Sequence, residues 1–81
     1  MGQNGSPVKR VDYDQLHYQA RTAMVAIGEA VNSHRRANKL PIRQLAEHLG
    51  IDHVKLHHLE HGRMLLDRDS MEVVIQWLAT P

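Results

Sequence analysis

The chain of 81 residues contains no cysteine and no phenylalanine, and its aromatic rings are Tyr13, Tyr18 and Trp77. Without cysteine there are no disulfides, thiolate zinc sites or thiol nucleophiles, which fits a reducing compartment. So few rings cannot build the stacking platforms that hold single-stranded nucleic acid. No apolar run reaches the roughly 18–20 residues that span a bilayer, so no membrane partner is expected. The first residues, Met1 to Pro7, lack a charged start followed by an apolar stretch, so no signal peptide is expected. No segment alternates apolar and polar residues with period two, which excludes an evident sheet. A chain of this length is expected to hold one domain, with a core too small to wall off a large catalytic pocket.

The charge is nearly balanced but unevenly placed. Ten Lys and Arg face nine Asp and Glu, for a formal net charge of +1. Residues 1–34 sum to zero, residues 35–63 to +3 and residues 64–81 to −2. Six of the seven histidines (His34, His48, His53, His57, His58 and His61) lie between residues 34 and 63, five of them inside the middle segment. That segment gains further charge below about pH 6.5, where histidine protonates. A basic centre on a small domain points to a polyanionic partner.

The spacing predicts an all-α fold of four to five helices. Residues 1–11 read as a flexible arm and residues 12–81 as a single domain. Asp12 and Gln15 have the form of a capping box. Leu16, Ala20, Ala23, Met24, Ile27 and Val31 then recur at three- and four-residue spacing, one apolar stripe on a helix from about 13 to 37. Gly28 marks a bend in this helix or its division into two. Pro41 breaks the ladder. A second helix runs from about Ile42 to Gly50, a third from 53 to 61 with Asp52 as cap, and a last one to Ala79 with Asp69 or Ser70 as cap. Met71, Val74, Ile75 and Leu78 form the core stripe of the last helix. Val73 and Trp77 form a second apolar pair, which either covers the first helix or is a candidate dimer surface. Tyr13, Leu16 and Tyr18 raise the same question at the other end.

Residues 42–61, IRQLAEHLGIDHVKLHHLEH, carry the most specific pattern. Two short helices around a glycine turn must cross steeply and closely. Ala46 supplies the small side chain at the crossing, and Gly50 the turn residue that takes positive φ most easily. Leu45, Leu49, Ile51, Leu56 and Leu59 are expected to point inward, leaving a polar face on the second helix.

With Arg35, Leu45-Ala46, Leu49-Gly50, Asp52, Leu56 and Leu59-Glu60-His61-Gly62 in place, the chain resembles the lambda-repressor-like helix-turn-helix family, the phage Cro and repressor type. The resemblance covers about residues 27–78. Two positions depart from the pattern: Ile42 stands where the family often has glutamine, and the second motif helix is rich in histidine rather than Gln, Ser and Thr. The resemblance implies a four- or five-helix DNA-binding domain that places helix 53–61 in the major groove of an operator, as a homodimer at least on DNA. It implies a sequence-specific transcriptional regulator, most like a Cro-type repressor, in a bacterial cytoplasm at the nucleoid. An antitoxin or a protein-interaction module on the same fold is the alternative.

On this reading His53, Val54 and His58 face base edges, with Lys55 and His57 flanking them. Arg43, Gln44, Arg36, Lys39 and Arg63 are phosphate candidates, and Lys9 and Arg10 candidate contacts from the arm. Arg35 and Glu60 occupy the positions of a structural salt bridge. His53, His57 and His61 are spaced i, i+4, i+8, which can hold a transition metal, but no Cys or His-Glu-x-x-His motif completes a ligand set. Ser33-His34 and Ser70 lack a third catalytic partner. No metal, cofactor or enzymatic activity is expected.

Overall fold

The structure, a computed structural model, describes residues 12–80. The arm, with Lys9 and Arg10, lies outside the described residues. Four helices follow one another: α1 (Tyr13–Ala37), α2 (Ile42–Leu49), α3 (His53–Glu60) and α4 (Arg68–Ala79). The described residues are all helix and connection, with no strand. No helix among them is long and apolar enough to cross a membrane.

Local chemistry sets the helix starts. Asp12 accepts a hydrogen bond from the Gln15 amide at 3.1 Å. Asp52 accepts from the Val54 and Lys55 amides at 2.8 and 3.3 Å. Asp67 accepts from the Ser70 amide at 3.2 Å, so the last helix is capped by Asp67 and not by Asp69 or Ser70. Each such cap satisfies amides that have no partner inside the helix.

Three helices end the same way. At α2 the Ile51 amide donates to the Ala46 carbonyl at 2.9 Å and the Gly50 amide to the Glu47 carbonyl at 3.2 Å. Arg63 and Gly62 close α3 on the His58 and Leu59 carbonyls, and Leu40 and Lys39 close α1 on Arg35 and Arg36. This closure puts one residue in the left-handed region. Gly50 takes it at φ 70°, but at the end of α1 it falls to Lys39 at φ 56°. A side chain there costs about 1 kcal/mol. Lys39→Gly is therefore expected to raise stability by about 0.5–1 kcal/mol. Calorimetry showing an unchanged or lowered melting temperature would contradict that cost.

Val31, Leu45, Ala46, Leu56, Leu59 and Val74 form the buried core, one or more from every helix. Ile27, Leu49, Ile51, Met71, Trp77 and Leu78 pack around it half-buried. On α4 the inward face is turned from the expected one. Trp77 packs on the core, its ring edge-on to His34 at 4.6 Å, while Ile75 is 53% exposed.

Gly28 neither bends nor divides α1. It is buried, and a Cβ built there would collide with the Leu59 carbonyl oxygen and lie 2.9 Å from that of Glu60. The C-terminal end of α3 presses directly on the α1 backbone. The contact is fixed by an ion pair. Arg35 donates from Nε and NH2 to the two Glu60 carboxylate oxygens at 2.7 and 3.0 Å, and from NH1 to the Leu40 carbonyl at 2.7 Å. Asn32 donates to the same carboxylate at 2.9 Å. Burial pushes the Glu60 carboxyl up, but the hydrogen bonds from Arg35 and Asn32 and the Arg35 charge outweigh it and hold it below the usual carboxylate range.

Candidate nucleic-acid interface

α3 is anchored by Leu56, Leu59 and Glu60, all buried. At 100° per residue this inward face turns Val54 and His58 to the opposite side, with Lys55 on one edge and His53, His57 and His61 on the other. Val54 is 50% exposed, and Lys55, His57 and His61 are also exposed. His53 and His58 are half-buried. The ring nitrogen Nδ1 of His58 is buried without a hydrogen-bond partner. The single acid within α3, Glu60, is consumed by Arg35. The helix thus presents an outer face of cationic, titratable and apolar side chains without a carboxylate.

Asp52, beside that face, is committed to the cap. Hydrogen bonds from the Val54 and Lys55 amides hold its carboxyl below the ordinary aspartate value. His57 is held below the ordinary histidine value by partial loss of water around the ring and by the neighbouring His61, Arg63 and His58. The His57 and His61 rings stand 4.2 Å apart, centroid to centroid. Among the described residues no group of three or more His, Asp and Glu could hold a metal ion.

α2 begins at Pro41, which offers no side-chain cap. The other three described helices each carry an aspartate there. The first amides of α2 are therefore left without a protein carboxylate, beside the exposed Arg43 and Gln44. Such a terminus attracts an anion. Gln44 also lines an apolar notch with Leu40, Leu45, His48 and Trp77. Lys39 is exposed in the turn that precedes α2.

The remaining phosphate candidates lie on the far edge. Arg36 is exposed and lines a polar hollow with Glu29, Asn32, Ser33, Glu60 and His61. Arg63 is exposed just past the end of α3, near enough to His57 to depress its titration. Arg36 and His61 thus meet across a hollow, although they are 25 positions apart in the chain. Periodicity gave no signal for that pairing, because it depends on α3 being pressed against α1 at Gly28. Arg35 is held in the scaffold by Glu60 and Leu40. Val73 is partly exposed on α4, whereas its companion Trp77 faces the core.

No family model, no curated protein and no solved structure matches the chain.

Proposed function

We propose that the chain is a sequence-specific double-stranded-DNA-binding regulator of the lambda-repressor-like kind. In this reading α2 and α3 form the helix-turn-helix and α3 enters the major groove. The observation that carries the proposal is the outer face of α3, made by Val54, Lys55, His57 and His58, where the carboxylates near Lys55, those of Asp52 and Asp67, are each committed to a helix cap. Beside it the uncapped start of α2 offers amides to a phosphate. Lys55 can donate to guanine, Val54 can touch a thymine methyl, and His53 and His58 can donate or accept. Arg43, Gln44 and Lys39 meet phosphates on one side of the groove, Arg36 and Arg63 on the other. The protein acts by occupancy of an operator, as a Cro-type repressor does, without catalysis or cofactor. A homodimer on a two-fold site supplies the contacts that one recognition helix lacks.

Fluorescence anisotropy against duplexes from the gene's own upstream region and a scrambled control, at two salt concentrations, tests the reading. Tight binding to the upstream duplex alone, falling steeply with salt, is expected. Equal, weak binding to both duplexes would sink it in favour of the protein-interaction module that the uncovered first half of α1 favours. Lys55→Ala should weaken the specific complex by about tenfold or more while leaving the melting temperature unchanged, because Lys55 is exposed. Affinity should rise as pH falls from about 8 to 6, with His57 adding its charge only below about 6.5. A flat profile at fixed salt would place the imidazoles away from the phosphates.

A further inference from the structure

The apolar stripe of α1 is covered only in part. Val31 is buried and Ile27 half-buried against the core, but every residue from Asp12 to Ala23 is exposed. Tyr13 is 76% and Leu16 52% exposed, on the same face as Ile27 and Val31. Leu65, 48% exposed, leans beside the stripe and lines a shallow hollow with His17, Ala20, Arg21 and Met24.

We propose that this half of α1 is the interface between two copies of the chain, paired as antiparallel helices about a two-fold axis level with residue 18. Side-chain size and charge both select that arrangement. The stripe is large at Tyr13 and Leu16 and small at Ala20 and Ala23. Antiparallel pairing sets Leu16 of one copy over Ala20 of the other and Tyr13 over Ala23, so knobs meet holes. Parallel pairing sets Leu16 on Leu16 and leaves a gap between facing alanines. Asp14 and Arg21, two turns apart on one edge of the stripe, are exposed, and neither is in an ion pair among the described residues. The antiparallel dimer brings each Arg21 beside the Asp14 of the other copy, twice by symmetry. A parallel one turns that edge toward the uncharged edge of Gln15 and Gln19, so neither ion pair forms. Charged side chains are absent from the seam itself, which runs Tyr13, Leu16, His17, Ala20, Ala23, Met24. Three turns of helix make a small interface, so the dissociation constant is expected on the order of 10 µM. The pairing belongs to the free protein and stands apart from the DNA reading.

Sedimentation equilibrium of the full chain, without DNA, tests it. A monomer–dimer equilibrium in the tens of micromolar is expected, weakened about tenfold or more by Leu16→Lys. Asp14→Arg or Arg21→Asp alone should weaken it severalfold, and the two together should restore it. Because the chain has no cysteine, Leu16→Cys protein mixed with Ala20→Cys protein should oxidise mainly to the mixed disulfide dimer. Leu16 is exposed, so these variants should keep the circular dichroism of the parent. A monomer at several hundred micromolar would overturn the proposal. So would a dimer indifferent to Leu16→Lys, or preferential Leu16→Cys self-crosslinking.

Discussion

Gly28→Ala is expected to lower the melting temperature by about 10–20 °C. In an exposed helix the same change would stabilise by about 1 kcal/mol, because alanine is the better helix former. Here the added methyl would meet the Leu59 and Glu60 carbonyl oxygens, which belong to the last turn of α3. Backbone cannot rotate away as a side chain can. Relieving the collision means moving α3 off α1, which stretches the Arg35–Glu60 pair and loosens Leu59 in the core. A cost of about 3–4 kcal/mol, less the helix-propensity gain, leaves a net loss of about 2–3 kcal/mol. That is a large part of the stability of so small a domain. Thermal unfolding followed by circular dichroism checks it. A melting temperature equal to or above that of the parent would show that α3 does not press on α1 at this point.

Glu60→Ala should destabilise by about 3 kcal/mol, since it strips a buried bidentate partner from Arg35 and the acceptor from Asn32. The Arg35 guanidinium would keep one bond, to the Leu40 carbonyl, and its charge would be left half-buried without a counterion. Arg35→Met combined with Glu60→Leu should cost less than either Arg35→Met or Glu60→Leu alone. Urea denaturation of the three variants measures this, and strict additivity would contradict the pairing. The same carboxylate gives the fold a pH dependence. Its folded value is lowered, so its contribution is fully present above the unfolded value of about 4.3 and is lost as pH falls through the folded value. The parent should therefore lose stability below about pH 4 more steeply than the Glu60→Gln variant.

Helix ends dominated by one residue were legible in the sequence. Gly50 at the turn, Asp52 as a cap and Pro41 as a stop each act through their own backbone chemistry. The inward set Leu45, Leu56 and Leu59 was legible for the same reason, since its spacing fits only one face of each helix. The start of α4 was not, because Asp67, Asp69 and Ser70 are all good caps and the connection from Gly62 decides among them. Period alone admits both Ile75 and Trp77 beside Val74. Packing against His34 on α1 turns the helix toward Trp77. Gly28 reads in sequence only as a weak helix former; its reason lies in the carbonyls of a helix 31 positions downstream. Tyr13, Leu16 and Tyr18 raised the question of an uncovered first half of α1, but the stripe alone could not answer it, because coverage depends on how far the other three helices reach. At the interface, exposure of Val54 and Lys55 follows from the same inward set. The meeting of Arg36 with His61 does not.

The outer face of α3 and the start of α2 are the surfaces proposed to meet duplex DNA. A titration of the 15N-labelled chain with an operator-length duplex, followed by amide chemical shifts, tests this most directly. Shifts are expected at Arg43 and Gln44 and from His53 to His58, with Tyr13 to Ala23 and the exposed side of α4 unmoved. Shifts confined to α1 or α4, or none at low salt, would contradict the account.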